Sequence, residues 1–324
     1  MKKLSILFCL VLLVFTNTYG QTSASVLLQH EGNVTTYLPE QIQDAFDDAE
    51  HGDMIFLSEG KFIGFDITKR VSVRGAGENT IVVGDININI EDDEVPMEVP
   101  ILQSLVINGS SSGSIYVKHA MKRLELLKIK HQTYNRSTLV FEADVNNLVV
   151  DRCYVLSLYI SKQVKNALIK NTYANSLSSG AQYGNCSISI INCTINQIGT
   201  DSNIESPTLG NVLNSIVKPG LYPRNTVFSY CLTHLNESSV EYLKIFQTSF
   251  QNCYNLDIPS GTLPTTTEEL LENGYLGMDG TVVGTAGGET PYVGIEPVAP
   301  KVTKSELHID QANKKLNVKL NMQP

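Results

Sequence analysis

The chain has 324 residues, 42% hydrophobic and 18% charged, with 23 glycines and no tryptophan. That suits one large folded domain or two small ones and excludes an intrinsically disordered chain. The formal charge is −9, and −11 once Lys2 and Lys3 leave with the leader, so nucleic acid is excluded as the default partner for want of a broad basic face.

Residues 1–20 carry Lys2 and Lys3, an apolar core from Leu4 to Phe15, and a polar end at Thr18-Tyr19-Gly20. This order is that of a secretory signal peptide cleaved near Gly20-Gln21, and the apolar core is short for an uncleaved anchor. The mature protein is expected to be secreted, periplasmic or at the cell surface, with no membrane span. Residues 39–51 predict a capping helix, because Ile42, Ala45, Phe46 and Ala49 recur at helical spacing beside acidic residues. His51-Gly52-Asp53 ends it, and Met54 to Leu57 begins a strand.

Gly75 and Gly77 read as turn glycines, since no helix is expected after them to make a phosphate loop. Glu91-Asp-Asp-Glu94 is the one candidate for Ca2+, which takes several carboxylate oxygens. Consecutive acids rarely converge on one ion, so a solvated loop is the expectation and no cofactor is assigned. Between Lys118 and Arg136 lie Lys118, Lys122, Arg123, Lys128, Lys130, Arg136, His119 and His131 against a single Glu125. Such a cluster on an acidic protein suits a carboxylated or sulfated glycan. A β-eliminating lyase needs a cation for the enolate and a base for the proton, and Lys128, Lys130, His131 and Tyr134 have that chemistry. The competing reading is an ion-pair face in which Lys130, Asp151 and Lys170 stack on neighbouring turns.

Segments recur about every twenty residues, the mark of a solenoid. Leu148-Val-Val-Asp-Arg-Cys153-Tyr-Val matches Leu168-Ile-Lys-Asn-Thr172-Tyr, Ile188-Ser-Ile-Ile-Asn-Cys193-Thr-Ile and Ser249-Phe-Gln-Asn-Cys253-Tyr. Val227-Phe-Ser-Tyr-Cys231-Leu is a weaker copy. Thr133, Cys153, Thr172 and Cys193 are expected to form one inward column of small side chains. Asn171, Asn192 and Asn252 fall at corners between strands, where Asn tolerates left-handed angles. A second column runs through Ile115-Tyr-Val117, Leu139-Val-Phe141 and Leu158-Tyr-Ile160, alternating inward and outward. It turns Tyr116 and Tyr159 outward as candidate sugar-stacking residues, while Tyr134, Tyr154 and Tyr173 sit beside the Cys/Thr column.

Five cysteines follow the leader: Cys153, Cys186, Cys193, Cys231 and Cys253. An odd number cannot pair completely, and no CxxC spacing offers zinc a site. Buried thiols in the repeat account for them better. Thr266 to Gly274 predicts a short helix with a capping box and a glycine stop. Val302 to Met322 predicts a hairpin around Gln311-Ala-Asn-Lys314.

The run from Gln41-Ile-Gln-Asp-Ala-Phe through His51-Gly-Asp-Met-Ile-Phe-Leu-Ser-Glu-Gly60, then Asp66 to Gly77 and Thr80-Ile-Val-Val-Gly84, resembles the opening of right-handed parallel β-helix proteins of the pectin-lyase-like superfamily. The Asn-Cys-Thr rungs resemble that superfamily too. Gly277-Met-Asp-Gly-Thr-Val-Val-Gly284 with Gly287-Gly288 is similar to the end segment of secreted β-helix proteins of Bacteroidota. The resemblance implies an all-β, right-handed parallel β-helix over residues 21–262, a C-terminal cap over 263–297 and a hairpin tail over 298–324. Its enzymatic branches imply a Gly-His-Gly with an Arg-Ile-Lys, a Gln-Asp-Thr, or an Arg-x-Pro-x-x-Arg, and this sequence carries none of them. The expected function is therefore non-catalytic binding of a polysaccharide or cell-surface glycan, with Tyr116 and Tyr159 as contacts. A polysaccharide lyase or glycoside hydrolase is one alternative, and an adhesin-type protein scaffold another.

Overall fold

A computed structural model describes residues 24–91, 101–108, 113–132, 138–160, 164–179, 187–198, 209–219, 225–234, 247–255 and 263–294, plus the strand pairing of 301–310 with 315–323. The leader, Asp92 to Glu94, Thr133, Tyr134, Arg136 and Cys186 lie outside the described residues.

Short strands wind into a parallel β-solenoid of about seven turns. Three ladders run along it. The first stacks Met54–Leu57, Ser72–Gly75, Leu124–Leu127, Leu148–Asp151, Ala167–Lys170, Ile188–Ile191, Asn211–Leu213, Val227–Ser229 and Ser249–Gln251, with Leu102 and Gln103 bridging the second and third of these. The second runs through Val106, Lys130, Tyr154, Tyr173, Thr194, Ile216, Leu232 and Tyr254. The third runs through Ile86, Ile115, Leu139, Leu158 and Leu177. Alternation decides which side chains enter: Ile115, Val117, Leu139, Phe141, Leu158 and Ile160 are buried, while Tyr116, Val140 and Tyr159 between them are partly exposed.

Between the first two ladders the chain turns a corner through one left-handed residue per turn: Ser104, Lys128, Arg152, Asn171, Asn192, Asn214, Tyr230 and Asn252, with φ between 49° and 55°. The predicted asparagine corners hold, and the same position accepts other residues. Gly75 opens this column for a different reason from the turn expected of it. It ends a strand, and a Cβ there would lie 2.2 Å from the Ser104 carbonyl oxygen. Gly77, with φ 101°, is the turn glycine.

Just past each corner sits the inward column, and it differs from expectation at its first member. Ile129, not Thr133, precedes Cys153, because the intervening turn takes 24 residues rather than about twenty. The column continues Thr172, Cys193, Ser215, Cys231 and Cys253. Each group donates to the carbonyl two residues back: Thr172 Oγ1 to Lys170 at 2.8 Å, Cys193 Sγ to Ile191 at 3.2 Å, Ser215 Oγ to Leu213 at 2.8 Å and Cys231 Sγ to Ser229 at 3.3 Å. Several also accept a backbone N–H from the turn before, as Ser215 does from Cys193 at 3.1 Å. From Thr172 to Cys231 the position therefore holds a small side chain that donates back along its own turn, while Ile129 fills the first slot with an apolar one.

The helix Ile42–Asp48 covers the N-terminal end, burying Ile42, Ala45 and Phe46, with Phe46 stacked on Phe65 at 4.5 Å. Strand Val26–His30 pairs antiparallel with Met54–Leu57 and closes the first edge. At the other end Thr266 caps the helix Thr267–Glu272 by accepting from the Glu269 N–H, and Gly274 follows at φ 69°. Residues 275–294 then fold back along the solenoid wall as a strap. Strands Lys301–Asp310 and Lys315–Gln323 pair antiparallel as a separate two-stranded sheet.

Candidate functional site

A cleft of about 570 Å³ opens between the second ladder and the segment leading into the C-terminal helix. The ladder supplies Tyr173, Ile195, Asn196, Ile216 and Lys218, and the far wall is Leu263, Pro264, Thr265 and Glu269. Register explains part of the near wall, since Tyr173 and Ile216 flank Thr194 on successive turns. Ile195 and Asn196, adjacent on one strand, both reach the cleft where the register shifts between Ile195 and Ile198.

Tyr173 is the aromatic anchor. Its ring stacks on Tyr154 of the preceding turn, with centroids 4.5 Å apart and planes 8° apart, because the two are in register. Asn196 Nδ2 donates to the Tyr173 hydroxyl at 2.5 Å and lies 3.3 Å from Asn175 Oδ1. Burial, helped by neighbouring Tyr154, raises the Tyr173 pKa, so the phenol stays neutral and keeps its polar handle. An aromatic face, an amide, a cation at Lys218 and a carboxylate at Glu269 thus share one cleft. Together they can stack on a sugar ring, hydrogen-bond its hydroxyls and pair with an acidic substituent.

The expected site residues lie elsewhere and apart. Tyr116 and Tyr159 do share one outward face, but Val140 lies between them on the ladder, which separates them by about 10 Å at two strand spacings. Lys118 Nζ sits 5.9 Å from the Tyr116 ring centroid. Lys128 occupies a left-handed corner at φ 53°. Lys130 pairs with Glu78 at 3.0 Å, and the residue beside Asp151 on the preceding turn is Leu127. The stack of Lys130, Asp151 and Lys170 is therefore corrected in part: Lys170 lies 3.6 Å and Arg152 3.2 Å from the buried Asp151 carboxylate, without Lys130.

His131 is 2% exposed, and neither ring nitrogen has a hydrogen-bond partner. Burial lowers its pKa to about 4, which leaves it neutral and out of a substrate's reach. Tyr134 lies outside the described residues, so the proposed lyase group is not assembled among those described. Arg123 pairs with Glu125, dispersing the basic cluster further.

Among the described residues no group of three or more His, Cys, Asp or Glu is poised for a metal ion, and no helix is long and apolar enough to cross a membrane. No protein-family model, curated protein or solved structure matches the chain.

Proposed function

We propose that this chain is an exported β-helix protein of the pectin-lyase-like type that binds a polysaccharide or cell-surface glycan without transforming it. The observation that carries the reading is the cleft in which Tyr173, Asn196, Lys218 and Glu269 line one space of about 570 Å³, a volume within the range of small-molecule sites. Export rests on the leader pattern of residues 1–20, and the superfamily on the motifs from Gln41 to Gly84 and the Asn-Cys-Thr rungs. Lys218 gives the cleft a preference for carboxylated sugars, with Tyr173 beneath a ring and Asn196 and Glu269 at its hydroxyls.

Titration of neutral and uronic-acid polymers against the full chain tests this. Tyr173→Ala is expected to weaken binding about tenfold or more. Lys218→Ala is expected to weaken carboxylated polymers more than neutral ones, and the polymers should acquire no new unsaturated or reducing ends. Absence of binding to every polymer class overturns the reading, as does wild-type affinity in both folded variants. New chain ends instead favour the lyase or hydrolase alternative.

A further inference from the structure

The inward column places thiols on adjacent turns at one point only among the described residues. Thr172 separates Cys153 from Cys193, and Ser215 separates Cys193 from Cys231, but Cys231 and Cys253 follow each other directly. Leu232 pairs with Tyr254, and the Tyr254 N–H donates to the Cys231 carbonyl at 2.8 Å, which fixes the register. Neighbouring strands bring the two Cα atoms to about 4.8 Å, inside the range a disulfide spans, with both Cβ vectors pointing inward together. Cys231 and Cys253 lie on the last two described turns, where the strands that follow them, Leu232–Thr233 and Tyr254–Asn255, are two residues long. Cys231 is fully buried and Cys253 is partly exposed.

We propose that Cys231 and Cys253 form a thiol-exchange site that takes small disulfides of the glutathione type and ends as an intramolecular disulfide closing the final turn. The Cys253 thiolate attacks one sulfur of the small disulfide, whose S–S bond breaks and releases one small thiolate. Cys231 then attacks the Cys253 sulfur of the mixed disulfide, passing its proton to the departing second small thiolate. Two protein thiols are oxidised and one small disulfide is reduced to two thiols.

The division of labour follows from environment. With its S–H turned to Cys253 in place of the Ser229 carbonyl, Cys231 draws the Cys253 pKa down to about 7, favouring thiolate on the accessible partner. Burial raises the Cys231 pKa as it does those of Cys153 and Cys193, so Cys231 acts only as the resolving thiol on the turn next to Cys253, whereas Cys153 and Cys193 have no thiol on an adjacent turn.

The test is incubation of the reduced full chain with glutathione disulfide at neutral pH, read by intact mass and peptide mapping. The expected product lacks two hydrogens and links the peptide of Cys231 to that of Cys253. Cys231→Ser should stop at one glutathione on Cys253, and Cys253→Ser should leave Cys231 unmodified, with far-UV circular dichroism confirming that both are folded. A wild-type chain that keeps glutathione on Cys253, links either cysteine elsewhere, or leaves both as thiols overturns the proposal. If either variant fails to fold, the wild-type peptide map decides.

Discussion

At the scale of single residues, two buried side chains carry opposite lessons. Cys193 is fully buried and donates to the Ile191 and Ile169 carbonyls at 3.2 and 3.4 Å, in a slot that Thr172 and Ser215 fill on the adjoining turns. Cys193→Asp removes the donor and sets a carboxylate against carbonyl oxygens, so it should cost about 3 kcal/mol or more in urea unfolding. Cys193→Ser keeps the donor and should stay within about 1 kcal/mol of the parent. A Cys193→Asp chain that unfolds like the parent would mean that the slot does not require a donor. His131 is tolerated only because it remains neutral. Its pKa is about 4 in the fold, against 6.5 ordinarily, and the cause is burial alone. Below pH 6.5 the unfolded chain gains the proton first, so stability is full above that pH and declines as pH falls towards 4, by about 3 kcal/mol in total. His131→Leu should flatten the pH dependence of the urea midpoint across that window. An unchanged slope would place the acid sensitivity in other groups.

At the scale of elements, the short strands and their asparagine corners were legible because stacking repeats one physical problem on every turn. Asn171, Asn192 and Asn252 announce left-handed corners, and Cys153 and Cys193 announce a small inward slot. The misplacement of Thr133 has a definite cause: a longer excursion on the preceding turn shifts the register, and a uniform period cannot sense it. Lys128, Arg152 and Tyr230 were not readable as corner residues because their types disfavour φ near 50°, and the strands on either side override that preference. The cleft was half legible. Tyr173 was visible beside the repeat, whereas Asn196 and Lys218 were not, because the register shift between Ile195 and Ile198 breaks the alternation beside them. Glu269 and Leu263 to Thr265 reach the cleft through a segment that repeats nothing, so no periodicity could place them there.

At the scale of the whole molecule, the strap changes how the solenoid holds together. Each turn of a bare solenoid contacts only its neighbours, so its ends can unfold without its middle. Here Tyr254 donates to the Leu276 carbonyl, Met278 N–H to Asn214 Oδ1, Gly284 N–H to the Asn214 carbonyl, and Asn171 Nδ2 to Thr290 Oγ1. Gly294 passes beside Glu78, which itself holds Lys130. From Tyr254 back to Lys130 the strap spans about 29 Å of stacked turns and ties the last to the early ones. Among its glycines the tightest fit against the solenoid is at Gly288, where φ is +79° and a Cβ would lie 2.1 Å from Asn192 Nδ2. Gly288→Val should therefore lift the strap from the Asn192 and Asn171 turns while leaving the strand ladders intact. Urea unfolding should broaden, with a smaller apparent m-value, as the end turns come apart from the rest. Thr290→Val removes one hydrogen bond and no close approach, so it should lower stability by about 1 kcal/mol without broadening the transition. A Gly288→Val transition as sharp as that of the parent would show that neighbour stacking alone makes this solenoid cooperative.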